Sequence, residues 1–431
     1  MRIDRLRIEN FKKFERTEPP FELHPHFTLL VGDNGSGKTS VLDALAVAIG
    51  LWHKAAPGSG WRNILEDEIR LKPVLAGDRV HFQPQLPSKI SVEGRIGLRE
   101  NLCWTRMIRR GGTRTTNAEA REAEKSIVET VEAAHAQRAP LPVLAYYGAG
   151  RAWLPTNKRP SARTSQRRPR QFDAYRNCLD TRIRDRDLNE WFLFEAAAAN
   201  GLGEGRPGYR AVKQAVLDCI PEADGLRYDS GLKEIVLSIR GFEQPFYNLS
   251  AGQRMMLAMV ADIAIKAVTL NSYLLGPDHS GATDPMHVLR QSPGIVLIDE
   301  LDVHLHPIWQ RRVATDLKRT FEKIQFVCTS HSPQVIGEVR PEEVRLLRAE
   351  RADTPAQSYG MDSNWIVEVL MDGAERNPTV KGVLEHIFRL IEQKNLPEAE
   401  KEITKLRSET GNSDRLQRAA SLVERIKLLG K

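Results

Sequence analysis

Residues 32–39, Gly-Asp-Asn-Gly-Ser-Gly-Lys-Thr, constrain this chain more than any other stretch. They satisfy the spacing of a phosphate-binding loop, and their flanks supply the two elements such a loop must join. Phe27-Thr28-Leu29-Leu30-Val31 is an unbroken apolar run that reads as a buried strand, and 40–49 reads as a helix. In the order strand, loop, helix, the backbone N–H groups of Asn34, Gly35, Ser36 and Gly37 can turn inward onto a phosphate at the positive end of the helix. Lys38 then neutralises β- and γ-phosphate oxygens and Thr39 ligates Mg²⁺. A glycine turn that merely precedes a helix is the bland alternative, and the flanks argue against it.

At 431 residues the chain is too long for one ordinary domain, and 41% hydrophobic residues suffice for a sizeable core, so two or three units are expected. Its four cysteines, Cys103, Cys178, Cys219 and Cys328, are scattered and read as buried thiols, not as a disulfide framework or zinc site. Residues 1–9 carry too many charges for an apolar signal core, and the most hydrophobic stretch, 255–270, is broken by Asp262 and Lys266. A cytoplasmic protein without a membrane span is the expectation.

The second half supplies partners for the phosphate loop. Gly294 to Ile298 reads as a strand that ends in Asp299-Glu300, and α/β sheets bind ligands at this carboxyl end. Asp299 there can hold Mg²⁺ through water while Glu300 orients or deprotonates an attacking water. A structural salt bridge is the alternative for the pair. Asn248-Leu249-Ser250-Ala251-Gly252-Gln253-Arg254 precedes a helix apolar nearly all round, so Ser250, Gly252 and Gln253 form a second anion site at a helix amino end. A site so far along the chain cannot easily serve the phosphate loop of its own molecule. Residues 324–329 form a further apolar strand that runs into Ser330-His331-Ser332-Pro333. His304 and His306, two residues apart, would admit a metal site, but no third ligand is apparent.

These motifs together resemble the ATP-binding heads of the SMC, Rad50 and RecF group of ABC-type ATPases, which also begin with a strand like Ile3 to Ile8 and a turn like Asn10-Phe11-Lys12-Lys13-Phe14. The resemblance implies an α/β fold: a P-loop ABC-type ATPase head with flanking antiparallel strands, an inserted helical lid and a C-terminal helical region. It implies ATP and Mg²⁺ as cofactors, and a homodimer or higher oligomer in which residues 249–254 of one chain close over the γ-phosphate held by another. It gives Leu301 to Pro307 the role of the D-loop and His331 that of the switch histidine. By the same resemblance Lys12 or Lys13 reaches the nucleotide; a solvated turn is equally open. One departure stands out: no Gln follows the strand Val143 to Tyr147, so Tyr147 or Arg151 replaces the usual Mg²⁺-sensing Gln, or the role is unfilled.

Tyr146 to Arg151, Tyr175 to Leu179, Leu249 to Arg254, His304 to Gln310 and Gln325 to Val335 together resemble the AAA-type, RecF-like ATPases of bacterial defence loci, such as the ATPase subunits of Septu systems and of retrons with the same cassette. That family implies a separate HNH-type nuclease as partner, restrained or released by nucleotide state during phage infection. A RecF-like repair ATPase acting directly on DNA is the main alternative, and a transporter subunit a weaker one.

The expected organisation is an N-terminal head lobe (1–114) with an antiparallel hairpin from Ile90 to Ile108, a helical and basic lid (115–204), a C-terminal head lobe (205–348), and a linker with helical region (349–431). Within the lid, Arg163, Arg167, Arg168 and Arg170 belong to a run without acidic residues in a chain of net charge +7. The run reads either as a solvated loop or as a sequence-tolerant contact with nucleic-acid phosphates. The tail holds three short amphipathic helices, built on apolar sets such as Leu384, Ile387 and Ile391.

Overall fold

The computed structural model describes residues 1–54, 62–76, 79–136, 139–150, 171–198, 205–276, 284–371, 378–411 and 414–429. They form two compact units, Met1–Asp362 and Ser363–Lys431.

The first unit is built on a central sheet whose strand order is Val143–Tyr147, Gly294–Ile298, Ile324–Thr329, Phe27–Val31, Val344–Arg348, Arg351–Asp353. The first five are parallel and the last is antiparallel. Every residue of the first four is buried, which is why they read as continuous apolar runs and not as alternating ones: both faces of the sheet are covered. Parallel order places the carboxyl ends of Phe27–Val31, Gly294–Ile298 and Ile324–Thr329 side by side, so the phosphate loop opens onto the same edge as two motifs that follow it by more than 250 residues.

A second sheet, antiparallel, runs in the order Phe14–Arg16, Arg2–Phe11, Ser88–Ile96, Arg99–Ile108, Thr116–Glu119. Along Ser88–Ile96 buried and half-buried residues alternate without a break, the mark of a strand with one face on a core. The helix Lys38–Ile49 lies between the two sheets. Trp104 of the antiparallel sheet donates to the Ala48 carbonyl (3.2 Å), and Arg106, fully buried, donates to the carbonyls of Val47 and Arg62 (both 2.6 Å). Burial pushes the Arg106 pKa down to about 10, which leaves it charged at neutral pH.

The segment expected to be an inserted lid is divided between these layers. Thr116–Glu119 is an edge strand instead of the start of a helix, and the helix Arg121–His135 packs on the antiparallel sheet, where Ser126 donates to the Ile96 carbonyl at 2.8 Å. Val143–Tyr147 is the edge of the central sheet itself. Among the described residues of this segment, the helix Asp185–Ala198 and the turn Gln171–Tyr175 before it stand outside both sheets.

The described part of the second unit opens with the short helical turns Ser363–Trp365 and Ile366–Leu370 and continues as the helices Pro378–Glu392, Leu396–Thr410 and Asp414–Leu429, whose shared core includes Leu384, Ile387, Ile403, Leu406, Leu416 and Val423. Much of its expected apolar surface thus packs internally. Among the described residues no helix is long and apolar enough to cross a membrane.

His53 follows the phosphate-loop helix and is buried, with neither ring nitrogen bonded among the described residues. Burial, followed by the nearby Arg106 charge, lowers its pKa to about 4. Unfolding restores an ordinary value near 6.5, so the unfolded chain takes up a proton that the folded one refuses. Stability from this group is intact above about pH 6.5 and is lost as pH falls toward 4, by up to roughly 3 kcal/mol. Urea denaturation at several pH values should show a flatter acid limb for His53→Leu than for the native chain; parallel limbs would assign the acid sensitivity elsewhere.

Candidate functional site

The phosphate loop is shaped by glycine where glycine is required. Gly35 and Gly37 take φ of 75° and 102°, and Gly37 caps the helix Lys38–Ile49. A Cβ on Gly37 would lie 2.7 Å from the Phe14 ring, whereas one on Gly35 would meet nothing within 4 Å, so the loop is backed by the first turn and open in front. The buried Lys38 bends its ammonium over the loop and donates to the carbonyls of Gly32 (2.8 Å) and Asp33 (2.9 Å). Burial lowers its pKa, and the Asp299 carboxylate opposes that shift.

The two adjacent lysines of the first turn part company. Lys13 reaches the loop, where its ammonium donates to the Gly35 carbonyl at 2.6 Å. Lys12, at φ 49°, turns behind the loop onto Asp43 and, at 3.4 Å, Glu68. Asp43 lies one turn along the phosphate-loop helix from Thr39 and also accepts from the Tyr146 hydroxyl (3.2 Å) and from Arg62 (3.5 Å). This half-buried network ties the helix to the central sheet and to the 62–68 segment. Nothing in the chain's local pattern singles it out.

Thr39 meets the second motif directly. Its hydroxyl donates to the Asp299 carboxylate at 3.0 Å, across 260 residues of sequence. Thr329, at the end of the neighbouring strand, donates to the other Asp299 oxygen (2.7 Å) and accepts from the Glu300 N–H (2.7 Å); its carbonyl accepts from Leu301 (2.8 Å). Glu300 itself is held at φ 49°, a left-handed conformation uncommon for a residue with a side chain and one that recurs at functional sites. Asp302 accepts from the Ser330 hydroxyl (2.6 Å) and the His331 N–H (3.3 Å), which brings the D-loop segment and the half-buried His331 to the same edge. Sequence reasoning passed over Thr329, since a threonine closing a β-strand is ordinary. Thr329→Val keeps the shape but removes one hydrogen bond to Asp299 and the hydroxyl that accepts from the Glu300 N–H, an expected cost of about 1–3 kcal/mol. Nucleotide turnover measured beside a thermal melt should fall about tenfold or more in this variant; unchanged turnover would make Thr329 a structural residue only.

Ser250, exposed, caps the long buried helix Ala251–Leu270 in a reciprocal box: Gln253 N–H donates to its hydroxyl (3.3 Å) and its own N–H to Gln253 Oε1 (2.9 Å). Gly252 lies against the D-loop, where a Cβ would come 2.4 Å from the His304 carbonyl oxygen. The Ser250 hydroxyl and the Gln253 side chain bond within this box, and the Ser250 carbonyl accepts from the Arg254 N–H (2.9 Å). Structure therefore gathers Lys38, Thr39, Asp299, Glu300 and His331 at one sheet edge, with Thr39 bonded to Asp299 and His331 to Asp302, and sets Ser250, Gly252 and Gln253 together at the start of the long helix. His306 caps the helix Pro307–Thr320, its ring nitrogen accepting from Ile308 N–H (3.4 Å), and the described residues hold no group of three or more metal-ligating side chains. Tyr147 is occupied with Asp262 of the long helix (2.6 Å). Arg151, Arg163, Arg167, Arg168 and Arg170 lie outside the described residues.

The residues fit a nucleotide triphosphate with Mg²⁺. The buried Ser36 hydroxyl has no hydrogen-bond partner among the described residues, the loop in front of Gly35 is open, and Thr39 with Asp299 offers the hard oxygen donors this cation prefers. Such a cation, when bound, supplies charge neutralisation at the phosphates.

A parallel sheet with a phosphate loop and two carboxylates at its carboxyl edge, flanked by an antiparallel sheet and a long buried helix, is the α/β architecture of an ATPase head. The chain belongs to the RecF/RecN/SMC N terminal domain family, whose model matches residues 2–352. Among its relatives, Retron Ec83 probable ATPase of Escherichia coli is 22% identical over 471 residues, covering 93% of this chain and 81% of that one. Retron Vc95 probable ATPase of Vibrio cholerae serotype O1 biovar El Tor is 39% identical over 107 residues (25% and 18% of the two chains), and Septu protein PtuA of Bacillus mycoides strain KBAB4 is 43% identical over 72 (15% and 10%). Among solved structures, an Smc head bound to the C-winged helix domain of ScpA superposes with a TM-score of 0.49 at 17% identity, over 83% of this chain and 98% of that one.

Proposed function

We propose that this chain binds and hydrolyses ATP with Mg²⁺ in composite sites made by two copies facing head to tail, and that its nucleotide state controls a separate HNH-type nuclease in bacterial antiphage defence. The observation that carries the ATPase reading is the Thr39 to Asp299 bond at 3.0 Å, which sets phosphate loop, cation-binding carboxylate and Glu300 at one sheet edge. Lys38 and the loop N–H groups of residues 34–37 hold the phosphates, Thr39 and Asp299 the cation, and Lys13 steadies the loop. Glu300 takes the proton of the attacking water, and His331 contacts the terminal phosphate. Ser250, Gly252 and Gln253 act on the nucleotide of the other copy; the exposure of Ser250 at the amino end of its helix, with Gly252 buried against the segment that follows Glu300, supports this reading. The defence role and the nuclease partner rest on likeness to the retron and Septu relatives.

Mixing two inactive variants tests the composite site. Lys38→Ala lacks the phosphate clamp and Ser250→Arg blocks the opposing surface, so each alone should be silent. In a mixed dimer one site receives both defects and the other none, so random pairing should restore about a quarter of native turnover. No recovery on mixing, with both variants folded, would overturn the head-to-tail assignment and leave a site served by a single chain.

A further inference from the structure

Beyond the nucleotide site, the most exposed apolar feature is a two-stranded ribbon, Leu71–Ala76 paired antiparallel with Arg79–Pro84. Its register pairs Leu71 with Pro84, Pro73 with Phe82 and Leu75 with Val80, and residues two apart share a face. One face therefore carries six apolar side chains and no charge or side-chain hydrogen-bonding group. Leu75 is 77% exposed, Phe82 65% and Val80 54%. The other face carries Lys72, His81, Gln83 and Arg79 beside Val74, and the described ribbon residues include no carboxylate. The ribbon is anchored at its root: Arg70 N–H donates to Asn10 (3.1 Å), Gln85 N–H to Arg70 (2.8 Å), and Arg70 pairs with Glu15 (3.0 Å).

An isolated two-stranded hairpin is at best marginal in water, and a bare apolar face of this kind calls for a cover. Pro73 and Pro84 lack N–H donors, which opposes extension by edge pairing and leaves face-to-face packing. We propose that the ribbon is a homotypic interface, in which the face of Leu71, Pro73, Leu75, Val80, Phe82 and Pro84 packs on the same face of a second copy about a two-fold axis. The surface that covers this face must be flat and uncharged, and the face itself has that chemistry. Two-fold packing keeps Lys72, Arg79 and His81 of each copy on the outside, so two basic chains do not oppose like charges. Covering both faces removes on the order of 1,000 Å² in total, the lower bound for a specific contact. This interface does not rest on the nucleotide reading. Together the two contacts would link chains into assemblies larger than a dimer.

Sedimentation velocity of the full, nucleotide-free chain at low and high salt tests it. The expected result is a dimer that persists at high salt, because the contact is apolar. Leu75→Asp/Phe82→Asp should weaken association at least about 100-fold with an unchanged thermal melt, since both side chains are exposed. Lys38→Ala should leave this dimer intact, which separates its failure from failure of the ATP-dependent contact. A native monomer, or a dimer indifferent to the double substitution, would overturn the proposal. A native monomer whose ribbon instead binds anionic vesicles would assign the face to lipid and overturn it as well.

Discussion

Glu300→Gln is expected to slow ATP hydrolysis by about 10²–10⁴-fold while nucleotide affinity changes little. Gln has nearly the same volume and keeps the backbone N–H bond to Thr329, so the left-handed turn at 300 has no reason to relax. What disappears is the basic oxygen that can receive a proton from water. Asp299, Thr39 and Lys38, which hold the cation and phosphates in the proposed site, are untouched. ATP should therefore accumulate uncleaved, and with it the closed dimer, visible as an ATP-dependent rise in mass by light scattering. Native turnover in this variant would remove Glu300 from its assigned role. Slow turnover without dimer accumulation would instead separate hydrolysis from dimer closure.

Gly252→Val should abolish activity by a different route. Gly252 is the second residue of the helix Ala251–Leu270, where replacing glycine by valine changes helix propensity by at most a few tenths of a kcal/mol in the stabilising direction, so propensity alone does not oppose the substitution. Packing decides the sign here: a Cβ at 252 would sit 2.4 Å from the His304 carbonyl oxygen and 3.2 Å from its carbon. Those are backbone atoms of a segment pinned by Gln310, whose amide donates to the carbonyls of Asp302 (3.3 Å) and Leu305 (2.9 Å) and accepts from Ser332 (2.7 Å). The helix start and the D-loop must separate, at an expected cost of about 1–3 kcal/mol in the denaturation midpoint. ATP binding by the phosphate loop of the same chain should survive, while ATP-driven dimerisation should be lost. As a control, Gly382→Ala, a helical glycine with nothing within 4 Å of its added Cβ, should leave stability unchanged or raised. A stable, dimerising Gly252→Val chain would show that the two segments can part without consequence.

How far the site could be read in advance follows from where its information lies. Phe27–Val31, Gly294–Ile298 and Ile324–Thr329 announce themselves because strands covered on both faces must be apolar throughout, and the loop motif is local in sequence as well as in space. Ser88–Ile96 is legible because alternation marks a one-sided sheet, whereas the alternating residues of its partner Arg99–Ile108 end in five that are all buried. Thr116–Glu119 is not legible, being a short edge strand with no apolar alternation. Lys12 and Lys13 cannot be told apart from their order, since a positive φ at 12 sends neighbouring side chains to opposite sides of the loop. Thr329 and Asp43 take their meaning from residues 30 and more positions away.

By itself the amino-acid order determined the phosphate loop, the carboxylate pair, the place of Ser250 at the amino end of a long buried helix and the α/β class, since each depends on spacing within a dozen residues and on local hydrophobic periodicity. Only the tertiary structure decided that Val143–Tyr147 belongs to the central sheet, which lysine attends the loop, what holds Asp299 and Glu300, and that one ribbon leaves its apolar face bare. Those outcomes depend on parallel pairing and side-chain packing between distant segments, where many partners are chemically acceptable and geometry selects among them.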